Sequence, residues 1–249
     1  MKTIFLALQD PATRSWAPVA RVDRDSDAYR LRYTKGAHVI EGFNGFVRMN
    51  DLESEYLSKE LFPLLRNRVL PRTRPEFAQF ASWAGNSILE MDYFEELSLT
   101  GGLRGTDSIE LFPMPERTSS NTFDARFFVH GARYLALNSD GIVKSLAPGD
   151  RLYLASDPQN VHDRHALLLR TGEPVSLVGY VPRYFSHDFS SLLFSDPEAV
   201  RVVVEKVNPG APPPYRVLCR FVAPWPASFK SCDSALFQLI ESTSKKVVV

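Results

Sequence analysis

Three short stretches hold side chains whose types and order can do chemistry. His130-Gly131-Ala132-Arg133-Tyr134 sets a guanidinium beside a phenol. Asp157-Pro158-Gln159-Asn160-Val161-His162-Asp163 gathers two carboxylates, two amides and an imidazole in one polar turn. Val178-Gly179-Tyr180-Val181-Pro182-Arg183 runs from an aromatic to an arginine. Aromatic faces stack on flat ligands, guanidinium groups pair with phosphates, and a carboxylate accepts a hydrogen bond from a hydroxyl. Other readings stay open. Tyr134 and Tyr180 also suit a barrel core, and Asp157 with Asn160 suits an Asx turn. His162, Asp163 and His165 are a candidate metal set, although they crowd into one turn and neither Cys219 nor Cys232 is near in sequence. Arg183 at a helix start is electrostatically disfavoured there, which favours a ligand role.

These stretches need elements to hold them. Apolar, β-branched and aromatic runs bounded by Gly, Pro, Asp or Asn predict strands over Phe127–Leu137, Arg151–Ala155, Ala166–Arg170, Val175–Val181, Val200–Val207 and Tyr215–Val222. Phe185, Phe189, Leu192 and Leu193 share one helical face, and Asp233 caps an expected last helix to Glu241. Many short strands with one inserted helix suggest a small closed or partly closed barrel. Upstream the chain reads as α+β. Strands are expected at Lys2–Leu8, Pro18–Val22 and Ala28–Tyr33. Leu57, Leu61, Leu64 and Leu65 recur at helical spacing, interrupted by Pro63. A further helix is expected from an N-cap at Thr73 through Phe77, Phe80, Ala81 and Trp83 to Gly85-Asn86. Another runs through Tyr93 and Leu97 to Gly101-Gly102. The Pro- and Ser-rich run at 113–122 is the expected boundary, giving domains 1–116 and 117–249.

The 249 residues carry 29 Lys+Arg against 29 Asp+Glu, which argues against holding a polyanion by bulk attraction. Split at the boundary, residues 1–116 hold 14 basic and 17 acidic groups, and residues 117–249 hold 15 and 12. Any polyanion contact is therefore expected to depend on a few placed residues. No apolar run approaches the ~20 residues that span a bilayer. The apolar amino terminus stops at Gln9-Asp10-Pro11 without a cleavage pattern and reads as a strand rather than a signal peptide. Two cysteines are no disulfide framework and fit a reducing cytosol.

The second half resembles the HIRAN domain. The resemblance rests on Gly131-x-Arg133-Tyr134, then Gly149-Asp150-Arg151-Leu152, then Asp157-Pro158-x-Asn160-x-x-Asp163 followed by Ala166-Leu167, and finally Gly179-Tyr180-Val181-Pro182-Arg183 with its helix. These occur in collinear order over about residues 123–225. The resemblance implies a small β-barrel related to the OB-fold that binds the 3′ end of single-stranded DNA. It also implies contact roles for Arg133, Tyr134, Asn160 and Asp163. In such a pocket Tyr134, Tyr180 and Tyr215 would stack bases, each stack contributing ~1–3 kcal/mol. Arg133 and Arg183 would hold phosphates, and Asp163 would accept from a 3′-hydroxyl while repelling a 3′-phosphate. His162 stands where the eukaryotic pattern has an aromatic. It stacks less strongly and gains charge at low pH.

The first half resembles the amino-terminal subdomain of HipA-type toxin kinases. That resemblance is carried by Tyr56-x-Ser58-x-Glu60-Leu61-Phe62-Pro63, Asn67-Arg68, Pro71-Arg72-x-Arg74-Pro75-Glu76-Phe77 and Gly101-Gly102-x-x-Gly105-Thr106-Asp107. It implies a HipA-like kinase or another protein as partner. The kinase catalytic-loop and metal-binding patterns are missing, and Gly101–Thr106 lacks the Lys of a phosphate loop, so a helix-ending turn is expected there. Arg66, Arg68, Arg72 and Arg74 read most simply as a solvated helix end, with nucleic-acid contact as the alternative. No hydrolase triad or metal motif is visible. The expectation is a cytoplasmic, bacterial, non-enzymatic binder of single-stranded DNA ends without cofactor or metal. The alternative is an interaction protein of a toxin–antitoxin or phage-defence system whose barrel binds no DNA; a DNA-end-processing enzyme is a third reading.

Overall fold

The computed structural model describes residues 2–25, 28–85, 92–132, 135, 139–242 and 245–249. The chain divides into two units. One comprises Met1–Arg74, Glu90–Met114 and Cys232–Val249; the other comprises Pro75–Leu89 and Pro115–Ser231. The change at 114/115 falls within the expected linker, but the units differ from a division at 116/117 in two places. The helix near residue 80 belongs with the second unit, and the chain after residue 231 belongs with the first. Counted by unit, the second holds 13 basic and 12 acidic residues, so the charge contrast read from the linear split almost disappears.

The first unit is a six-stranded sheet. Its strands are β1 (Lys2–Gln9), β2 (Trp16–Arg24), β3 (Tyr29–Tyr33), β4 (Glu55–Ser58), β5 (Ile109–Pro113) and β12 (Lys246–Val248), in spatial order β12-β4-β3-β2-β1-β5. All pairings are antiparallel except β12 with β4. Strand β1, one in from the β5 edge, is buried on both faces. Ile4 and Leu6 join the main core with Val19, Leu31 and Tyr33, while Phe5 stacks on Phe112 at 5.5 Å and meets Phe237 edge-on at 5.0 Å.

Two helical expectations give way to strand pairing. Leu57 lies in β4 between Arg30 and Val248. Helix α1 begins only at Pro63 (Pro63–Arg66), where a missing N–H costs nothing. The chain after Asp233 forms a single 3-10 turn, Ala235–Phe237. Its neighbours hydrogen-bond back to the sheet instead, Lys35 N to Gln238 O and Ile240 N to Tyr33 O. Helix α3 (Tyr93–Thr100) is bounded as its sequence requires. Asp92 and Glu95 form a capping box, and Gly101 ends it at φ 72°. Arg68, expected in solvent, is buried, and its guanidinium donates to Gly102 O and to Asp107. It thereby clamps the turn that follows α3.

The second unit contains α2 (Glu76–Ala84), β6 (Thr122–Phe128), α4 (Ser139–Ser145), β7 (Arg151–Ser156), β8 (Leu167–Arg170), β9 (Leu177–Tyr180), α5 (Arg183–Ser195), β10 (Arg201–Val207) and β11 (Val217–Pro224). Strand order is β6-β11-β10-β7-β8-β9. The two edges then meet: His130 N donates to Tyr180 O at 2.9 Å and Tyr180 N to His130 O at 2.8 Å. The sheet thus curls back on itself at one isolated bridge. Glycine makes that closure feasible. A side-chain carbon at Gly179 would lie 2.2 Å from Val129 Cγ1 and 2.6 Å from His130 O. Gly131, at φ 66°, turns the chain out of β6, so the strand expected to reach Leu137 ends at Phe128. Helix α5 presents Phe185, Phe189 and Leu192 to the core, with Phe189 stacked on Phe221 at 3.7 Å. No helix among the described residues is long and apolar enough to cross a membrane.

Candidate nucleic-acid interface

The polar stretch 157–163 joins β7 to β8 and is organised by its own side chains. Asn160 Oδ1 accepts from the backbone N–H of His162 and of Asp163, both at 3.1 Å. Asp163 Oδ1 accepts from His165 N at 2.9 Å. Short polar side chains that capture N–H groups two and three residues on hold a loop without needing a core. Asp157 Oδ2 receives the Tyr180 hydroxyl at 2.8 Å and Asn160 Nδ2 at 3.2 Å. Ser186 Oγ lies 2.6 Å from Asp163 Oδ2 as donor, and 2.7 Å from Arg183 O. The turn is therefore tied to the end of β9 through Tyr180 and to the first turns of α5 through Ser186.

Of the residues singled out by sequence, Asn160, His162, Asp163, Tyr180 and Arg183 come together here. His162 is exposed, while Asn160, Asp163, Tyr180 and Arg183 are half-buried. Burial first, and then the Asp157 carboxylate, raise the Tyr180 pKa, so the phenol stays a neutral donor. Its ring lies over Gly131, where a side-chain carbon would sit 3.0 Å from Tyr180 Cδ2. Arg133 and Tyr134 lie outside the described residues. Tyr215 sits in a different setting. It stacks on Trp83 at 6.1 Å and meets Phe80 at 5.6 Å and Phe128 at 5.2 Å edge-on. Asn208 Nδ2 bridges Trp83 O and Tyr215 O. Tyr215 thus helps hold α2 on the outside of the curled sheet.

The metal reading finds no donor set. His165 Nε2 accepts from Arg164 Nε at 3.0 Å, which uses the lone pair that a metal would need. Burial, then the neighbouring His187 and Arg164 charges, lower the His165 pKa. Among the described residues no group of three His, Cys, Asp or Glu side chains is placed to hold a metal ion. Two participants escaped sequence reading. Asp157 was visible only as a turn former, and Ser186 carries no periodic signal, being one polar residue on the buried side of α5.

Two solved structures are similar in part. A protein from Lactobacillus plantarum is 17% identical, covering 40% of this chain and 96% of its own, with a TM-score of 0.34. The HIRAN domain of human HLTF is 14% identical, covering 43% and 84%, with a TM-score of 0.32. No curated protein matches the chain. The HipA-like reading of the first half is not shown by these comparisons. From the start of β6 to just past the end of β11, residues 122–226 match the family model of the HIRAN domain.

Proposed function

We propose that this protein is a non-enzymatic binder of single-stranded DNA and that its HIRAN segment recognises a 3′-hydroxyl end. The observation that carries this reading is the joining of the 157–163 turn to Tyr180 and to the start of α5 by side-chain hydrogen bonds. It gathers an aromatic ring, a carboxylate and a guanidinium-bearing helix start within one continuous network. Tyr180 offers a ring for an unpaired base, and Arg183 offers charge for the terminal phosphodiester. Asp163 keeps lone pairs beyond those its internal donors use, since an ionised carboxylate has about four acceptor sites. Those sites suit a hydroxyl and repel a terminal phosphate. Arg133 and Tyr134 complete the set in the resemblance, and the curled sheet agrees with its OB-like barrel.

Anisotropy titrations with labelled oligonucleotides test this directly. A 3′-hydroxyl single strand should bind more tightly than its 3′-phosphate twin and more tightly than blunt duplex. Equal affinity for the two ends removes the end-recognition reading. Incubation with DNA and divalent metal should leave the strand intact; cleavage removes the non-enzymatic one.

A further inference from the structure

Leu152 and Leu154 of β7 face the core, so strand alternation places Arg151, Tyr153, Ala155 and Asp157 along its other face. On β8, Arg170 lies opposite Tyr153 and Leu168 opposite Ala155. Leu168 in turn lies opposite Tyr180. One outward face therefore continues from the Tyr180–Asp157 hydrogen bond to a pair of arginines. The Arg151 guanidinium lies 4.8 Å, and that of Arg170 5.0 Å, from the centre of the Tyr153 ring. Tyr153 keeps 36% of its surface in solvent. Arg170 donates to Thr171 O at 3.0 Å, and among the described residues neither arginine forms an ion pair with a carboxylate. Arg151, Tyr153 and Arg170 line one groove together with Glu198, with Leu193, Pro197 and Val200 as its apolar wall.

A guanidinium lying on an aromatic ring spends its flat face on the ring and keeps its N–H edge for an anion. Two of them flanking an exposed tyrosine match a chain of phosphates carrying flat bases. We propose that Arg151, Tyr153 and Arg170 form a track for the backbone and one base of the single strand that leads away from its 3′ end. This deepens the reading of the 157–163 turn as a DNA-end site and rests on it. From Asp157 to Tyr153 the strand runs ~13 Å at ~3.3 Å per residue. At the ~3.4 Å per nucleotide of a duplex strand, and fewer nucleotides if the single strand is more extended, the track meets the DNA within about four nucleotides of the end. A second unit with 13 basic and 12 acidic residues has little general field to offer, so two such arginines would carry much of the salt dependence.

The test uses the full chain and labelled 3′-hydroxyl and 3′-phosphate oligonucleotides of two, four, eight and twelve nucleotides, over a range of salt. For wild type, affinity should rise as the strand lengthens past about four nucleotides and then level off. The double variant R151Q/R170Q should lose that rise, bind the longer strands on the order of tenfold more weakly, and flatten the salt slope by about 1.4 for two contacts on a single strand. Its preference for the hydroxyl end should persist, which also reports an intact fold. Y153A should weaken long strands more than short ones. An unchanged length profile in R151Q/R170Q overturns the track while leaving end recognition standing. Loss of end preference in wild type, with length dependence kept, overturns the end reading and leaves the arginines as a strand contact. No binding of any oligonucleotide overturns both.

Discussion

Ser186 Oγ lies 2.6 Å from Asp163 Oδ2 and donates to it, so a hydroxyl on α5 fixes the carboxylate that closes the polar turn. Ser186 is itself buried. S186A should therefore cost ~1 kcal/mol in stability, as expected for losing a hydrogen bond to a partly solvated acceptor. The larger consequence is in recognition. With only His165 N left to orient the Asp163 carboxylate, the ratio of hydroxyl-end to phosphate-end affinity should fall several-fold while single-strand affinity as such changes little. Chemical denaturation and the paired oligonucleotide titrations read the two effects separately.

Asp163 combines an acceptor with a negative charge, and D163N separates those roles. The amide is nearly the same size and still accepts from His165 N through its oxygen; its NH2 can donate to Ser186 Oγ, whose own proton turns to Arg183 O, so the turn should keep its fold. The repulsion of a terminal phosphate disappears. The 3′-phosphate strand should gain on the order of tenfold in affinity, the 3′-hydroxyl strand should change less, and the discrimination should collapse. The same substitution leaving both affinities unchanged places Asp163 in the turn only.

The strands from β7 onward were legible because they are apolar runs set between Gly, Pro, Asp and Asn breaks, as at Leu167–Arg170 and Leu177–Tyr180, whereas β6 starts at Thr122, at the end of the run read as a linker. The polar turn was legible for the same reason that it folds, its Asx chemistry being local. What sequence hid was long-range pairing. Leu57 fits a helix period, yet its backbone is claimed by β3 on one side and by the returning carboxy terminus on the other. Tyr215 looked like a stacking residue because an isolated exposed-type aromatic near a barrel carries no label. Its partners Phe80 and Trp83 lie far away in sequence, on a helix that linear reading assigned to the other domain.

That reassignment makes Tyr215 a control. Y215A removes a ring that meets three others and should destabilise the second unit by roughly 2–3 kcal/mol, less than the full loss for a completely buried aromatic because the residue is half-buried. End discrimination, measured below the melting transition, should match wild type. A selective loss of hydroxyl preference in a folded Y215A protein returns the residue to the binding site.

Gly179 supplies a complementary test of the sheet closure. G179A places a carbon within 2.6 Å of His130 O and closer still to Val129. One of these is backbone and cannot move alone. The bridge between His130 and Tyr180 should open, costing ~1–3 kcal/mol, and Tyr180 should be displaced with it. Binding and melting temperature should fall together, whereas loss of stability with full end preference places the site independently of closure.

The first unit carries a pH dependence of its own. Glu96 on α3 keeps only 1% of its surface exposed, and its Oε2 has no hydrogen-bond partner among the described residues. Burial pushes its pKa up to about 7, against the opposing attraction of Arg72 and the Leu70 backbone N–H. In the unfolded chain the group titrates near 4.5, so between those values the folded state holds more protons than the unfolded one. Stability is then fully present below about pH 4.5 and is lost as pH rises through about 7. The total is of order 3 kcal/mol at ~1.36 kcal/mol per pKa unit. E96Q keeps an acceptor for Leu70 N and removes the charge, so at pH 8 it should melt several degrees above wild type, and at pH 4.5 the two proteins should melt together. Thermal melts of both proteins across pH 4.5 to 8.5 check the sign. A wild-type curve that gains stability over this range relative to E96Q places an ionised, paired carboxylate at position 96 instead.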